Sequence, residues 1–145
     1  MIKDLSTAGA LPALEKMFLF SGQRQRLIAH NIANIDTPGF QGVDVDPRGF
    51  QSALRRAIED RRADGNGSSG ALDLSRADEV RMVGGRMELT PKTPIDGVLF
   101  QDRNQRDLER LMQDMVENAT MFRVAGDLMR KNTSLIRGAI AQRVI

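Results

Sequence analysis

Few side chains in this sequence are of a type that carries covalent chemistry. His30 is the sole histidine and cysteine is absent. That excludes a disulfide framework, a thiol nucleophile and any metal site built from cysteines or several histidines. A general base at His30 would need a nucleophile placed with it. None is evident, and beside Asn31 on a helix it reads as a surface or interface side chain. Asp44 and Asp46 form a D-x-D pair whose carboxylates would share a face in a strand and could hold a divalent ion. Directly before Pro47 they read more simply as two solvated carboxylates. Arg55-Arg56 and Arg61-Arg62 flank Glu59-Asp60, the pattern of a charged helix face with internal pairs rather than a phosphate patch. No glycine-rich phosphate loop occurs. No cofactor, metal, nucleic acid or small-molecule substrate is expected.

What remains is the chemistry of recognition, concentrated in Ala29-His30-Asn31-Ile32-Ala33-Asn34-Ile35-Asp36-Thr37-Pro38-Gly39-Phe40. Asn31 and Asn34, three residues apart, fall on one helical face. Their carboxamides can close off the last helical carbonyls or bridge to a neighbouring chain. Ala33 allows close approach of another backbone. Thr37-Pro38-Gly39-Phe40 suits a type II turn, with Pro at the second position and Gly at the third. Phe40, just past the turn, is placed to pack back on the helix.

These residues must be positioned by the elements around them. Leu11 to Ile35 reads as one helix, with Leu11, Leu14, Phe18, Ser21, Gln25, Ile28, Ile32 and Ile35 at alternating three- and four-residue steps. Ser21 and Gln25 interrupt that stripe. Pro38 forces Thr37 out of the helical region and ends it. A second helix spans about Asn104 to Arg143, with Leu108, Leu111, Met115, Asn118, Phe122, Ala125, Met129, Asn132, Ile136 and Ala139 in the same register. Met112, Leu128, Leu135 and Ile140 widen its apolar face. Asn104 is a candidate cap, and Arg130, Lys131 and Arg137 lie toward the end that the helix dipole favours for cations. Between the helices, Gly49 to Arg62 could form a short helix, and residues 63–70 have the composition of a flexible linker. Residues 71–103 offer only short extended pieces, such as Arg86 to Leu89 and Val98 to Phe100.

Composition agrees with a helical assembly. The chain has 145 residues, 41% hydrophobic, with six Phe, eight Met and neither Trp nor Tyr. A sandwich or barrel core leans on larger rings, whereas Met fills irregular helix–helix contacts. The formal net charge is +2, too small to point to a nucleic-acid partner. No run reaches the roughly 18 apolar residues of a membrane helix, and the first residues lack the apolar stretch of a cleaved signal peptide. The fold expected is mainly α: long N- and C-terminal helices pairing as a coiled-coil-like unit, with a largely irregular or extended middle. Three segments follow: 1–40, the N-terminal helix and turn; 41–103, a variable middle; and 104–145, the C-terminal helix. A pair of helices leaves apolar stripe exposed, so burial against other subunits is expected.

The stretch from Ala29 to Phe40 resembles the signature of the flagellar rod, hook and hook-associated axial proteins, A-x-N-I-A-N-x-x-T-P-G-F. Ala29, Asn31, Ile32, Ala33, Asn34, Thr37, Pro38, Gly39 and Phe40 all match it. Asn104 to Glu109, then Met112, Met115, Glu117, Asn118 and Phe122, is similar to that family's acidic, Met-containing C-terminal helix. Leu111 stands where the family usually carries Glu, and Phe122 where it usually carries Tyr. The resemblance covers roughly residues 8–55 and 104–143, and the short length is that of the proximal rod type. It implies a structural, non-enzymatic subunit that assembles through its terminal helices into a torque-transmitting shaft. It implies location in the bacterial flagellar basal body, in the periplasm-spanning rod, after type III export without a cleaved signal. Partners implied are other rod subunits, the rod-base adaptor and components of the MS ring and export gate. Leu14, Phe18, Ile28, Leu108, Met115, Phe122, Met129 and Ile136 are the expected helix seam. The alternative is a soluble coiled-coil adaptor or export chaperone, which has no reason to carry the Asn31–Phe40 signature.

Overall fold

The computed structural model describes residues 9–63, 70–93 and 108–142. Among these residues, three helices and one hairpin follow in chain order: α1 (Leu11–Ala33), α2 (Pro47–Ala63), β1 (Val80–Val83), β2 (Arg86–Leu89) and α3 (Leu108–Gln142). At ~1.5 Å per residue, the 23 residues of α1 and 35 of α3 span about 34 and 52 Å. The molecule is mainly helical, with α1 and α3 packed along each other. They run antiparallel, since Phe18 meets Phe122 while Arg24, further along α1, meets Asp114, earlier in α3.

Across the α1–α3 seam, Phe18, Ser21 and Gln25 of α1 meet Phe122 and Asn118 of α3. Phe18 and Phe122 stack with ring centroids 4.3 Å apart. Each ring lies over a glycine of the opposite helix. A Cβ at Gly22 would come within 3.3 Å of the Phe122 ring, and one at Gly126 within 3.3 Å of the Phe18 ring. The two bare glycines therefore let the rings nest between the backbones. Ala125, at 0% exposure, and Ile28, also at 0%, close the seam. The polar break at Ser21 and Gln25 has its counterpart across the seam. Buried Asn118 donates from Nδ2 to the Ser21 carbonyl at 2.8 Å and to Gln25 Oε1 at 2.7 Å. A single buried amide of this kind fixes register, because sliding the helices by one turn would leave it unsatisfied.

The middle of the chain does more than its composition suggests. α2 runs from Pro47 to Ala63, longer at both ends than the short helix expected, and Ala63 closes α2 instead of opening a linker. Asp46 starts it, accepting from the backbone N–H groups of Arg48 and Gly49 at 2.9 Å each. That is N-cap chemistry. One face of α2 buries Phe50, Ala53, Leu54 and Ala57. Phe50 stacks on Phe20 of α1 at 4.0 Å with the rings parallel to within 1°. Leu72, Leu74, Val80 and Met87 complete the same core with Val45. The middle segment, expected to be largely irregular or extended, thus covers a second apolar face of α1. Arg86 to Leu89 is extended as expected, but as half of a hairpin, with Val80 paired to Leu89 and Val83 to Arg86. Gly84 and Gly85, at φ +56° and +81°, form the two-residue turn that a right-twisted hairpin favours. Residues 64–69 of the expected linker, Val98 to Phe100, and the Asn104 cap lie outside the described residues.

Candidate assembly site

α1 ends at Ala33, two residues before the end read from the stripe, because Asn34 supplies the cap. Its Nδ2 donates to the His30 carbonyl at 2.8 Å and lies 3.3 Å from His30 Nδ1. The backbone then descends in short steps: Ile35 N–H donates to Ile32 O, and Thr37 N–H to Asn34 O. Phe40 N–H donates to Thr37 O at 3.1 Å, closing the turn around Pro38 and Gly39. Gly39 has φ +75°, the value a type II turn demands at its third position. Phe40 folds back so that its ring meets the edge of His30, centroids 5.6 Å apart. His30 thus has an aromatic and an amide neighbour.

Asn31 has the opposite role to Asn34. It is buried, at 4% exposure, and grips the chain that returns from the turn. Its Nδ2 donates to the Val43 carbonyl at 2.8 Å, and its Oδ1 accepts from Val43 N–H at 3.2 Å. The carboxamide satisfies both backbone groups of one residue, as a neighbouring strand would. Gly42 fits closely beneath it; a Cβ there would meet Asn31 Cγ at 3.4 Å. Ala29 and Ala33 face outward, and Ile32 is half-buried. Thr37, Pro38 and Gly39 form an exposed tip.

The expected seam residues divide by position. Leu14 and Ile28 are buried in α1; Phe18, Met115, Phe122, Met129 and Ile136 are half-buried. Leu108 is 48% exposed. α3 also carries Met112, Val116, Val124, Leu128 and Leu135 at 45–66% exposure, a large apolar load for one helix.

Sequence reasoning missed Arg24. It lies on α1 at 5% exposure, and clasps Asp44 with both ends of its guanidinium. Nε reaches Oδ1 at 3.0 Å and Nη2 reaches Oδ2 at 2.7 Å. Nη2 also lies 3.5 Å from Asp114 on α3. Burial works against the charge, but hydrogen bonding and Coulombic attraction to Asp44, then to Asp114, outweigh it and raise the pKa of Arg24. Asp44 simultaneously pairs its backbone with Lys92 in both directions at 2.9 Å. The D-x-D pair therefore holds neither two solvated carboxylates nor one shared ion: Asp44 binds Arg24 and Asp46 caps α2. One ion-paired cluster locks α1, α3 and the segment leaving the turn. Its neighbours Ser21, Gln23, Gln25 and Arg26 are polar, so nothing local marked it for burial, and its partners are 20 and 90 residues away.

Residues 22–41, from mid-α1 through the turn, match the family described as flagella basal body rod protein. Over 114 residues the chain is 43% identical to the flagellar basal body rod protein FlgB of Yersinia enterocolitica, covering 79% of this chain and 75% of that one. The chain belongs to the FlgB family of flagellar basal body rod proteins. FlgB of Yersinia ruckeri is 41% identical over the same shares, and FlgB of Borrelia hermsii is 31% identical over 105 residues, 68% of this chain and 71% of that one. FlgB membership makes the chain a component of the flagellar basal body, associated with its other components and with motility. The relatives are rod proteins by name, and the Asn31–Phe40 turn is part of what this chain shares with the family.

Proposed function

We propose that this chain is a structural, non-catalytic subunit of the proximal rod, which self- and co-assembles through its terminal helices and carries motor torque. The observation that supports it is the unequal partnership of α1 and α3. One stripe of α3 is occupied by α1, while Val124, Leu128 and Leu135 remain 45–64% exposed on another. Apolar surface of this kind is stabilised by covering it with further subunits, and a contact between unlike surfaces builds an open filament. Torsional stiffness then comes from close-packed seams such as Phe18–Gly126 and Phe122–Gly22, where little room is left for shear. The Asn31 clamp fixes the direction in which the middle segment leaves α1, and so which neighbour it reaches. Ala29, Ile32 and Ala33 offer small surface for that neighbour. On this reading the partners are other rod subunits, the rod-base adaptor and the MS-ring and export-gate components. The subunit occupies the periplasm-spanning rod and is exported unfolded through the flagellar channel without a cleaved signal. A chain free of disulfides suits that route.

The test is cross-linking in isolated basal bodies of a Leu128→Cys variant, in a chain with no native cysteine. Bonds to rod subunits are expected. Absence from basal bodies, with capture of soluble partners alone, would replace this reading with the adaptor or chaperone.

A further inference from the structure

A groove of about 610 Å³ opens between α1, α2 and α3. Its floor is apolar, from Met17 and Phe20 of α1, Leu54 and Ile58 of α2 and Met121 of α3. Along its α2 wall stand Arg48, Arg55 and Arg62, at seven-residue intervals and so on one helical face. Of the three guanidinium groups, only that of Arg55 is paired among the described residues, with Glu59 at 3.0 Å, and that pair is largely exposed. α2 as a whole carries five arginines against Glu59 and Asp60.

The same chain carries a surface of the complementary kind. At the start of α3, Leu108, Met112 and Val116 form a strip with i, i+4 spacing, at 48%, 50% and 66% exposure. Glu109, seven residues before Val116 and so on the strip's face, adds a carboxylate to it; Asp114 is engaged with Arg24 and Glu117 borders the groove itself. Val116 lies about 200° around the helix from Asn118 at roughly 100° per residue, and Asn118 borders the groove. Strip and groove therefore face different ways on one molecule, so a copy cannot fill its own groove. The strip is about 12 Å long and the arginine row about 21 Å, at ~1.5 Å per residue, so the row spans the strip.

Resting on the proposed rod function, we infer that the groove receives the Leu108–Val116 strip of a second copy of this chain, with Glu109 against the arginine row. Groove and strip are unlike surfaces, so the contact is heterologous and leaves a free groove at one end and a free strip at the other. The apolar floor supplies the attraction and the charges choose the register and the partner.

The experiment uses the full chain with Gln51→Cys at the groove rim, Val116→Cys on the strip, or both, and a short bismaleimide. An equimolar mixture of the single variants is expected to give a dimer, each single variant alone none, and the double variant a ladder. Adding Arg48→Glu and Arg62→Glu should lower the yield about tenfold, as should Glu109→Arg, and combining the reversals should restore much of it. Equal cross-linking by each single variant alone, or no ladder, overturns the inference. The variants are also introduced into cells and basal bodies isolated. Incorporation with Gln51→Cys joined to a different subunit overturns the second copy as occupant while leaving the rod function standing. Absence of the Cys-free parent from basal bodies would defeat the rod function itself.

Discussion

The cluster around Arg24 allows the argument for a tertiary lock to be tested quantitatively. Asp44→Ala leaves a guanidinium at 5% exposure with only Asp114, 3.5 Å away, to offset it. Removing one partner of a buried pair typically costs about 3–5 kcal/mol, and the remaining carboxylate places the expected loss near the lower end, about 3 kcal/mol. Arg24→Met strands carboxylates instead. The side chains of Asp44 and Asp114 are 21% and 29% exposed, so water can take over part of the lost contact. Methionine keeps most of the packing, and about 1–2 kcal/mol is expected. The double variant has no stranded arginine and should cost little more than Arg24→Met alone. That gives a coupling of roughly 2–3 kcal/mol. For a domain of this size, Asp44→Ala should lower Tm by roughly 10 °C. With neither Trp nor Tyr in the chain, urea unfolding followed by far-UV circular dichroism is the suitable assay. Additive single effects, or a larger loss from Arg24→Met than from Asp44→Ala, would refute the claim that the buried arginine makes the ion pair decisive.

Asn31→Leu removes both bonds to Val43 and leaves that residue's N–H and C=O without partners. A loss of about 2–3 kcal/mol is expected by urea unfolding, against about 1 kcal/mol for Asn34→Leu, whose carbonyl partner is exposed to water. Gly39→Val meets no atom within 4 Å of its Cβ but must hold φ +75°, so its cost, about 1–2 kcal/mol, is backbone strain alone. Export assays and motility should show both Asn34→Leu and Gly39→Val impairing assembly more than export. Asp73 is held below its usual pKa of 3.8 by the backbone N–H and then the hydroxyl of Ser75. Its contribution to stability is therefore present above pH 3.8 and lost as pH falls through the lower native value. Asp73→Ala should flatten that acid limb in pH-dependent unfolding and leave the neutral region nearly parallel to wild type.

Sequence by itself determined the parts governed by local rules. Helix stripes at three- and four-residue steps placed Phe18, Ile28, Asn118, Phe122 and Ala125 on the seam. Pro38 and Gly39 dictate their turn because φ is restricted at one and positive at the other. The hairpin was legible in principle from Gly84-Gly85 between two short runs with β-branched and apolar residues, but four-residue strands carry too little periodicity to stand out. Tertiary structure decided the rest. Whether Arg24 is a solvated cation or a buried lock depends on carboxylates distant in the chain. Whether Asn31 caps its own helix or grips Val43 depends on where the returning segment runs. The middle segment became a core only because Phe50, Leu54, Leu72, Leu74 and Met87 meet Phe20 together. Local preference acts over one turn of helix or one tight turn. Burial is a property of surfaces that chain topology brings together, and so no single stretch of sequence contains it.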